Sequence, residues 1–367
     1  MKHSFRRILC VLLLSVTCLH GQTPRTQTID GITWFFTTTE QGATLVRASD
    51  DAPAFSNTGN ATITELRVPS ELGGRPVTVI GKKAFYMCRD LVEVYLPEGL
   101  TTISESAFEN CSSMTFVKIP TTLQRIELQA FFGCTSLCSI TLPRKLALID
   151  SLAFAHCASL RFVILPKGLK VLHSSVFMNC GNLRFVEFPA DITKIPNGTF
   201  NGCKRLKSVK IPETVRDIDS FAFSECTSLE EIILPKNLKR LGVAVFLKCE
   251  NLMTVYLPDG LYSVPNFTFE DSGIRNIYFP KNMRKIGTRA FFRCRNLSEV
   301  DIPEGTERIG EGAFLCCGNL YDVSLPKSLV VIEAGAFAET GLEKVKLPAN
   351  VKNLAPNAFS TDTEILR

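Results

Sequence analysis

The sequence predicts a β-rich solenoid, in which the chain winds into about twelve stacked coils of 22–23 residues each. Three residue types recur in register along the chain: phenylalanine, proline and cysteine. The phenylalanines follow one another at 23 residues, with two steps of 22: Phe85, Phe108, Phe131, Phe154, Phe177, Phe200, Phe223, Phe246, Phe269, Phe291, Phe314, Phe337 and Phe359. Twelve prolines from Pro97 to Pro348 share this rhythm. One coil cannot bury its own Phe, Cys and Leu, so a continuous core requires stacking.

The repeating unit reads A-F-x-x-C-x-x-L-x-x-V-x-L-P-x-x-L-x-x-I, and each position has a structural interpretation. The L-x-x-V-x-L part, for example Leu183 to Phe188, ends with period-two alternation and predicts a short strand with its apolar side inward. The following proline cannot donate to a sheet and ends the strand. Gly or Asn nearby makes a corner, as in Pro97-Glu98-Gly99. The next L-x-x-I reaches the opposite wall, and Ala-Phe leads into the next coil.

Two repeats are one residue shorter than the others. A regular coil has two residues between its Cys and the following Leu, as in C-x-x-L. The two short coils have only a Gly at this place, in Ser272-Gly273-Ile274 and Thr340-Gly341-Leu342. Glycine adopts positive φ without steric cost, so a tightened turn with positive φ at Gly273 and Gly341 is the expected explanation.

The cysteines predict free thiols and not disulfides. Ten of the 14 cysteines occupy one position of the coil: Cys88, Cys111, Cys134, Cys157, Cys180, Cys203, Cys226, Cys249, Cys294 and Cys317. Stacked equivalents would lie about 4.8 Å apart with parallel Cβ vectors, which does not suit a disulfide. We therefore expect buried thiols that behave as small apolar groups. Cys138 and Cys316 lie at other coil positions, either partly covered at the surface, which is favoured, or exposed and redox-active.

The N-terminus predicts export. Lys2, Arg6 and Arg7 precede a short apolar run from Ile8 to Leu14, as in a signal peptide, assigned here to residues 1–21. This run is too short for a membrane span, and we expect no transmembrane segment elsewhere. Ser15-Val16-Thr17-Cys18 resembles a bacterial lipobox, which would place a lipid anchor on Cys18. The favoured alternative is that Cys18 is an apolar residue of the signal.

Two further domains are expected after the signal. Residues 22–62 hold a capping hairpin, with strand-like segments on both sides of Glu40-Gln41-Gly42, followed by a polar connector. The hairpin would cover core residues that the open first coil exposes. Residues 63–367 form the solenoid.

Proline, Ala-Phe and Cys recurring in register from Ile63 to Phe359 resemble the BspA-like, or treponemal, class of leucine-rich repeat. The chain lacks the Asn ladder of ordinary leucine-rich repeats. The resemblance implies a right-handed, curved array with a parallel sheet on its concave side. It also implies surface exposure and attachment to host matrix proteins or other cells.

Little in the sequence indicates catalysis. We find no CxxC, no HExxH and no Gly-rich phosphate loop, and we expect no enzymatic activity, metal or cofactor. His156 and His173 are each alone within a repeat, which favours solvated imidazoles over ligands or bases. Without residues 1–21 the formal charge falls from +5 to +2, with 38 basic and 36 acidic residues. A nearly neutral chain has no global field for nucleic acid or anionic lipid.

Solenoids bind partners along their concave faces, so the outward side chains of the strands are the candidate binding residues. The apolar members of this set are Phe116, Phe162, Ile164, Phe185, Ile233, Tyr256 and Tyr278. Arg161, Arg184 and Lys207 form a basic line beside them, and Glu299, Asp301 and Asp322 an acidic end. Exposed aromatic clusters mark contact surfaces. The alternative is that these residues stabilise the sheet through cross-strand pairs.

These observations favour a non-enzymatic module that binds or adheres to proteins, exported to the cell envelope, the surface or the medium. Its partner would be a protein on the concave face, from the host extracellular matrix or from another cell. The alternative function is a structural or assembly scaffold within the envelope, which would use the same face for a partner from its own cell.

Overall fold

The computed structural model describes residues 23–57 and 62–367. The expected signal peptide and the Cys18 anchor lie outside the described residues. Within them the chain forms a β-solenoid of about 13 coils, so the predicted fold class is confirmed. The described residues contain no helix, and therefore none that could cross a bilayer.

The described residues form 31 short strands. The first seven are β1 (Arg25–Ile29), β2 (Ile32–Thr39), β3 (Gly42–Leu45), β4 (Phe55–Asn57), β5 (Glu65–Arg67), β6 (Glu71–Leu72) and β7 (Arg75–Ile80). The next twelve are β8 (Glu93–Tyr95), β9 (Thr102–Ile103), β10 (Phe116–Lys118), β11 (Arg125–Ile126), β12 (Leu148–Ile149), β13 (Phe162–Ile164), β14 (Val171–Leu172), β15 (Phe185–Glu187), β16 (Lys194–Ile195), β17 (Ser208–Lys210), β18 (Asp217–Ile218) and β19 (Glu231–Ile233). The last twelve are β20 (Arg240–Leu241), β21 (Thr254–Tyr256), β22 (Ser263–Val264), β23 (Asn276–Tyr278), β24 (Lys285–Ile286), β25 (Glu299–Asp301), β26 (Arg308–Ile309), β27 (Asp322–Ser324), β28 (Val331–Ile332), β29 (Lys344–Lys346), β30 (Asn353–Leu354) and β31 (Glu364–Leu366).

Each coil contributes to two walls. The three-residue strands β5, β8, β10, β13, β15, β17, β19, β21, β23, β25, β27, β29 and β31 form the wall called here the long-strand face. They pair in parallel as one group of three and five groups of two. The strands β9, β11, β12, β14 and the even-numbered strands from β16 to β30 form the opposite wall, the short-strand face. They arise from the L-x-x-I segment, for which the sequence predicted no strand.

Two prolines interrupt the short-strand face. In most coils the residue after the short strand donates its N–H to the preceding coil, as Asp219 does to the Ile195 carbonyl over 2.9 Å. Pro196 and Pro265 occupy this position after β16 and β22, and proline has no N–H to donate. The face accordingly divides between β14 and β16 and between β20 and β22.

The N-terminal strands cover the first coil. Strands β2 and β3 form an antiparallel hairpin, and β3 pairs in parallel with β7. The polar connector contains β4, which pairs with β2 and places Phe55 against the Phe85 ring at 5.9 Å. Trp34 packs on Phe55 in turn, at 6.2 Å. The hairpin thus closes the end of the core, while the domain boundaries at residues 22 and 63 stay a prediction.

The recurring phenylalanines form one column through the solenoid. From Phe85 to Phe359, every ring stacks on the next with centroids 4.9–5.9 Å apart and planes within 18°. All thirteen side chains are buried. Stacked aromatic pairs are stabilising beyond their burial, so the column ties each coil to both neighbours.

The recurring cysteines are free thiols with a specific partner. Nine of the ten donate a hydrogen bond to the carbonyl of the column phenylalanine in the preceding coil, over 3.0–3.2 Å. No disulfide joins the 12 described cysteines, as the sequence predicted. The thiol therefore does more than fill space, because it gives the carbonyl a second hydrogen bond, from the next coil, beside the N–H bond that the carbonyl accepts within its own coil. In the Ser272 coil the hydroxyl faces Cys294 Sγ at 3.4 Å instead.

Each regular coil has two residues in the left-handed backbone region, two positions before and two after its column phenylalanine. Around Phe131 they are Gln129 (φ 55°) and Gly133 (φ 69°). The prediction for Gly273 and Gly341 was wrong, because neither has positive φ. Glycine is required there for close approach: a Cβ on Gly273 would lie 2.1 Å from the Glu250 carbonyl oxygen, and one on Gly341 2.8 Å from the Gly318 carbonyl oxygen.

Candidate interaction surface

The long strands present two side chains outward and one inward. In β13 and β15 the central valines, Val163 and Val186, are buried, while both flanking residues are exposed. This pattern follows from period-two alternation, because successive side chains of a strand point to opposite sides. The outward positions form two columns that run the length of the long-strand face. All seven apolar residues proposed for binding lie on them, with 40–67% of their surface exposed.

The N-terminal part of the face holds a cation–aromatic stack. The Arg67 guanidinium lies 3.9 Å from the centroid of the Tyr95 ring, and Tyr95 packs against Phe116 at 5.7 Å. The Tyr95 hydroxyl donates to Glu93 over 2.7 Å, and this bond raises the pKa of Tyr95. The three groups come from neighbouring strands β5, β8 and β10. Phe116 is therefore held by its neighbours while 40% of it faces solvent.

The central part of the face carries the most concentrated apolar group. Phe162 and Phe185 are register partners on β13 and β15, and Ile164 lies opposite Glu187. All three apolar side chains are about half exposed, at 47%, 49% and 54%. The structure does not join Phe116 to this group, because residues 139–141, in the coil between them, form no strand. Phe162, Ile164 and Phe185 are therefore a separate cluster, called here the central cluster.

A second apolar group lies towards the C-terminus. Tyr256 and Tyr278 are register partners whose rings stack at 4.4 Å with planes 3° apart. Ile233, on β19 in the preceding coil, is 67% exposed and Tyr256 is 65% exposed. Stacking stabilises the two rings against each other, and the exposed parts of both rings remain available to a partner. The alternative interpretation, in which outward residues only stabilise the sheet through cross-strand pairs, accounts for the stacked Tyr256 and Tyr278. It does not account for the exposure of Ile233.

Charges flank the apolar groups unevenly. Arg161 and Arg184 precede β13 and β15, are exposed, and have no ion-pair partner among the residues that the structure describes. Lys207 continues the line but pairs with Glu230 at 3.2 Å. Exposed pairs of this kind contribute little to stability. At the other end Glu299 lies beside its register partner Asp322, with Asp301 on the same strand.

The two histidines and Cys316 are set apart from this surface, whereas Cys138 lies in the column of Arg161 and Arg184. His156 lies 3.4 Å from the Asn179 amide and packs on Phe132, while His173 is 4.0 Å from Asp150. Cys316 is partly covered, and burial, with Glu339 beside it, raises its pKa and disfavours the reactive thiolate. Cys138 is also partly covered. No group of three or more His, Cys, Asp or Glu in the described part of the chain could hold a metal ion.

Sequence reasoning left several members of the surface out of the candidate binding residues, although register places one of them, Tyr95, outward. Tyr95 and Arg67 belong to the stack on Phe116. Met253 and Tyr321, 47% and 64% exposed, directly precede β21 and β27 and occupy the column of Arg161 and Arg184. Register could have found them, because this column was considered for its basic residues alone.

Comparison with known proteins decides the family. A model described as the BspA-type leucine-rich repeat region, with six copies, matches residues 52–184, 170–296 and 245–365. These overlapping segments cover most of the chain and all of the long-strand face from β8 to β29. The chain is a BspA-type leucine-rich repeat protein. A search of curated proteins finds no match.

Solved structures agree with the family. A leucine-rich repeat protein from Bacteroides ovatus shares 28% identity over 92% of this chain and 98% of its own, with a TM-score of 0.64. A leucine-rich cell surface protein from Faecalibacterium prausnitzii is 23% identical over 94% of this chain and 95% of its own, with a TM-score of 0.58. The second likeness concerns the fold. BspA-type repeats are in general scaffolds for protein binding or adhesion.

Proposed function

We propose that this BspA-type protein is an exported, non-enzymatic adhesion module that binds host matrix or cell-surface proteins through its long-strand face. The residues assigned to contact are Phe116, Phe162, Ile164, Phe185, Ile233, Tyr256 and Tyr278, with Arg161, Arg184 and Lys207 beside them. BspA-type proteins are typically at the cell surface or secreted, which supports this location.

One observation carries the proposal: the exposed apolar side chains are concentrated on this face. Of the 16 large apolar side chains that are exposed in the described chain, nine lie in or directly before the long strands from β10 to β27. Scattered exposed apolar residues are ordinary on a protein surface, but contiguous patches mark interaction sites. A column that could carry Ser, Thr or Lys in every coil instead carries Phe, Ile or Tyr in many of them.

The central cluster is the expected centre of the interface. Its three side chains lie on two paired strands, and Arg161 and Arg184 lie at the ends of the same strands. Aromatic residues and arginine are the residue types that most often dominate binding energy. The two free guanidiniums favour a partner that places carboxylates beside its apolar anchor.

The experiment is a binding assay of the full chain against a panel of purified, immobilised extracellular-matrix proteins. The double variant Phe162→Ser, Phe185→Ser should fold normally, because both rings are half exposed, and should lose capture by roughly tenfold or more, as expected of aromatic anchors. The matched control is Val171→Ser, Val243→Ser, which changes two exposed apolar residues outside the long-strand face. Equal capture by the double variant and the wild type would refute the assignment.

The alternative function, a scaffold within the envelope, differs from adhesion in whether the long-strand face is accessible from outside the cell. Protease added to intact cells should digest an adhesion module, because its face must meet partners outside the cell. Complete protection on intact cells, with digestion after the envelope is opened, would instead support a scaffold within the envelope.

A further inference from the structure

A cationic patch surrounds one exposed tyrosine on the short-strand face. Tyr262 directly precedes β22 and is 63% exposed. The coil before it presents Lys239 and Arg240, and the coil after it presents Arg284 and Lys285. All four cations are exposed. None of these residues belongs to the long-strand face.

Partial neutralisation leaves a surplus of positive charge in the patch. Arg240 pairs with Asp217 and Asp219, and Arg284 pairs with Glu307. Lys239 and Lys285 have no ion-pair partner within the described residues. Two more exposed lysines, Lys236 and Lys281, lie at the proline corners of the same two coils, while Asp259 lies at that corner in the tyrosine's own coil.

The break at Pro265 opens the sheet beside the tyrosine. Strand β20 ends one sheet and β22 begins the next. Within this described stretch, the Tyr262 N–H donates no backbone hydrogen bond across the break, although its carbonyl accepts from Arg284 on the other side at 2.8 Å. A backbone N–H without a backbone partner is available to a hydroxyl or an anion. The patch thus combines cations, one aromatic ring and a free donor.

We propose that this patch binds a linear anionic polysaccharide that runs along the solenoid axis. The lysines on both sides of Tyr262 are two coils apart. The column rings of these three coils lie 5.5 and 5.3 Å from one another, which places the two lysines roughly 10 Å apart along the axis. This separation is similar to the length of one disaccharide, so it suits a polymer that carries charge on every disaccharide. The tyrosine ring offers the intervening sugar an apolar surface with a polar hydroxyl at its edge.

The pattern favours a glycan over a nucleic acid. Proteins that bind single strands stack successive bases on a series of aromatic side chains. On this wall the neighbouring coils place Lys239 and Arg284 where Tyr262 stands, so one ring is flanked by charge on both sides. A sulfate and a carboxylate on the sugar would both pair with lysine, and the two probes below distinguish them.

The test measures fluorescence anisotropy of a labelled heparin hexasaccharide, and of a hyaluronan hexasaccharide that carries carboxylates alone, with the full chain at increasing NaCl. We expect saturable binding of one or both, weakened by salt. The variant Lys239→Glu, Lys285→Glu should weaken it roughly tenfold or more, because attraction becomes repulsion. Tyr262→Ala should weaken it severalfold without changing the salt dependence.

The matched control is Lys344→Glu, Lys346→Glu, which makes the same charge change at exposed residues of β29 on the long-strand face. It should bind as the wild type does, and thermal unfolding should show that all variants fold. Absence of binding to both hexasaccharides, an equal loss in the control, or tighter binding of a dT12 oligonucleotide would each overturn the proposal. These outcomes do not depend on the protein partner of the other face.

Discussion

The phenylalanine column and the long-strand face belong to the same coils, yet they vary in opposite ways. The column holds phenylalanine at all thirteen positions, each ring stacked on the next. The first outward column of the face instead reads Glu93, Phe116, Ser139, Phe162, Phe185, Ser208 and Glu231 over seven coils. An interior ring must fit two neighbours at once, whereas an outward side chain has solvent on one side and tolerates change.

The difference separates what stabilises this protein from what distinguishes it. Interior residues repeat because successive coils pack well when equivalent interior positions carry the same or similar side chains. Partner recognition therefore has to reside in the columns that the stacking leaves free. In this chain those columns carry the central cluster on the long-strand face and the cations around Tyr262 on the short-strand face.

The comparison is tested most strongly by truncating one ring in each region. Phe223→Ala should lower the free energy of unfolding by about 3–5 kcal/mol, because it removes a fully buried ring from the middle of the column. Phe185→Ala, at a ring that is 49% exposed, should cost less than about 1 kcal/mol. Urea unfolding followed by circular dichroism measures both. Similar losses in the two variants would contradict the distinction.

Alkaline pH should act mainly on the interior, where nine of the ten column thiols are buried. Burial raises the pKa of Cys180 to about 12 from an ordinary 9.0, and it raises the pKa of the other nine column thiols as well. Below pH 9 both states hold protonated thiols, so stability is unaffected. Above pH 9 the unfolded chain ionises and the folded chain does not, so the free energy of unfolding falls by about 1.4 kcal/mol per thiol for each pH unit.

The measurement is urea unfolding between pH 8 and pH 10 under reducing conditions. The variant Cys203→Ala, Cys226→Ala should show a shallower fall with pH, because two titrating groups are gone. Val209→Ala, Val255→Ala truncates two buried side chains that do not titrate and serves as the control, with the slope of the wild type. A slope that does not depend on the column thiols would contradict their protonated, buried state.

The interior was predictable because its rule is local and repeated. Thirteen Phe and ten Cys in register specify the stacking, the buried columns and the free thiols without knowledge of any single contact. The short-strand face was not predicted, because L-x-x-I is too short to show a strand period. The roles of Pro196 and Pro265 depend on which N–H would have crossed between coils, and that requires the pairing itself.

The candidate surface was partly predictable for the same reason. Register placed Phe162, Phe185 and the tyrosines outward, and their exposure agrees with this. It did not show that residues 139–141, in the coil between Phe116 and the central cluster, form no strand, because that coil has the apolar pattern of the others.

The smallest expected effect concerns the residues with left-handed backbone conformation beside each column phenylalanine, which belong to neither the column nor the face. Gln129 holds φ at 55°, a left-handed conformation that costs a residue with a Cβ about 1–2 kcal/mol. Gln129→Gly should therefore stabilise the protein by roughly 0.5 kcal/mol, since glycine's greater entropy loss of about 0.5–1 kcal/mol offsets part of the relief. Gln124→Gly makes the same change in the next-door segment, where φ is not positive, and should destabilise by about 0.5–1 kcal/mol. Thermal unfolding should show a gain in stability for Gln129→Gly and a loss for Gln124→Gly. Equal losses in both variants would show that the left-handed residues carry no strain.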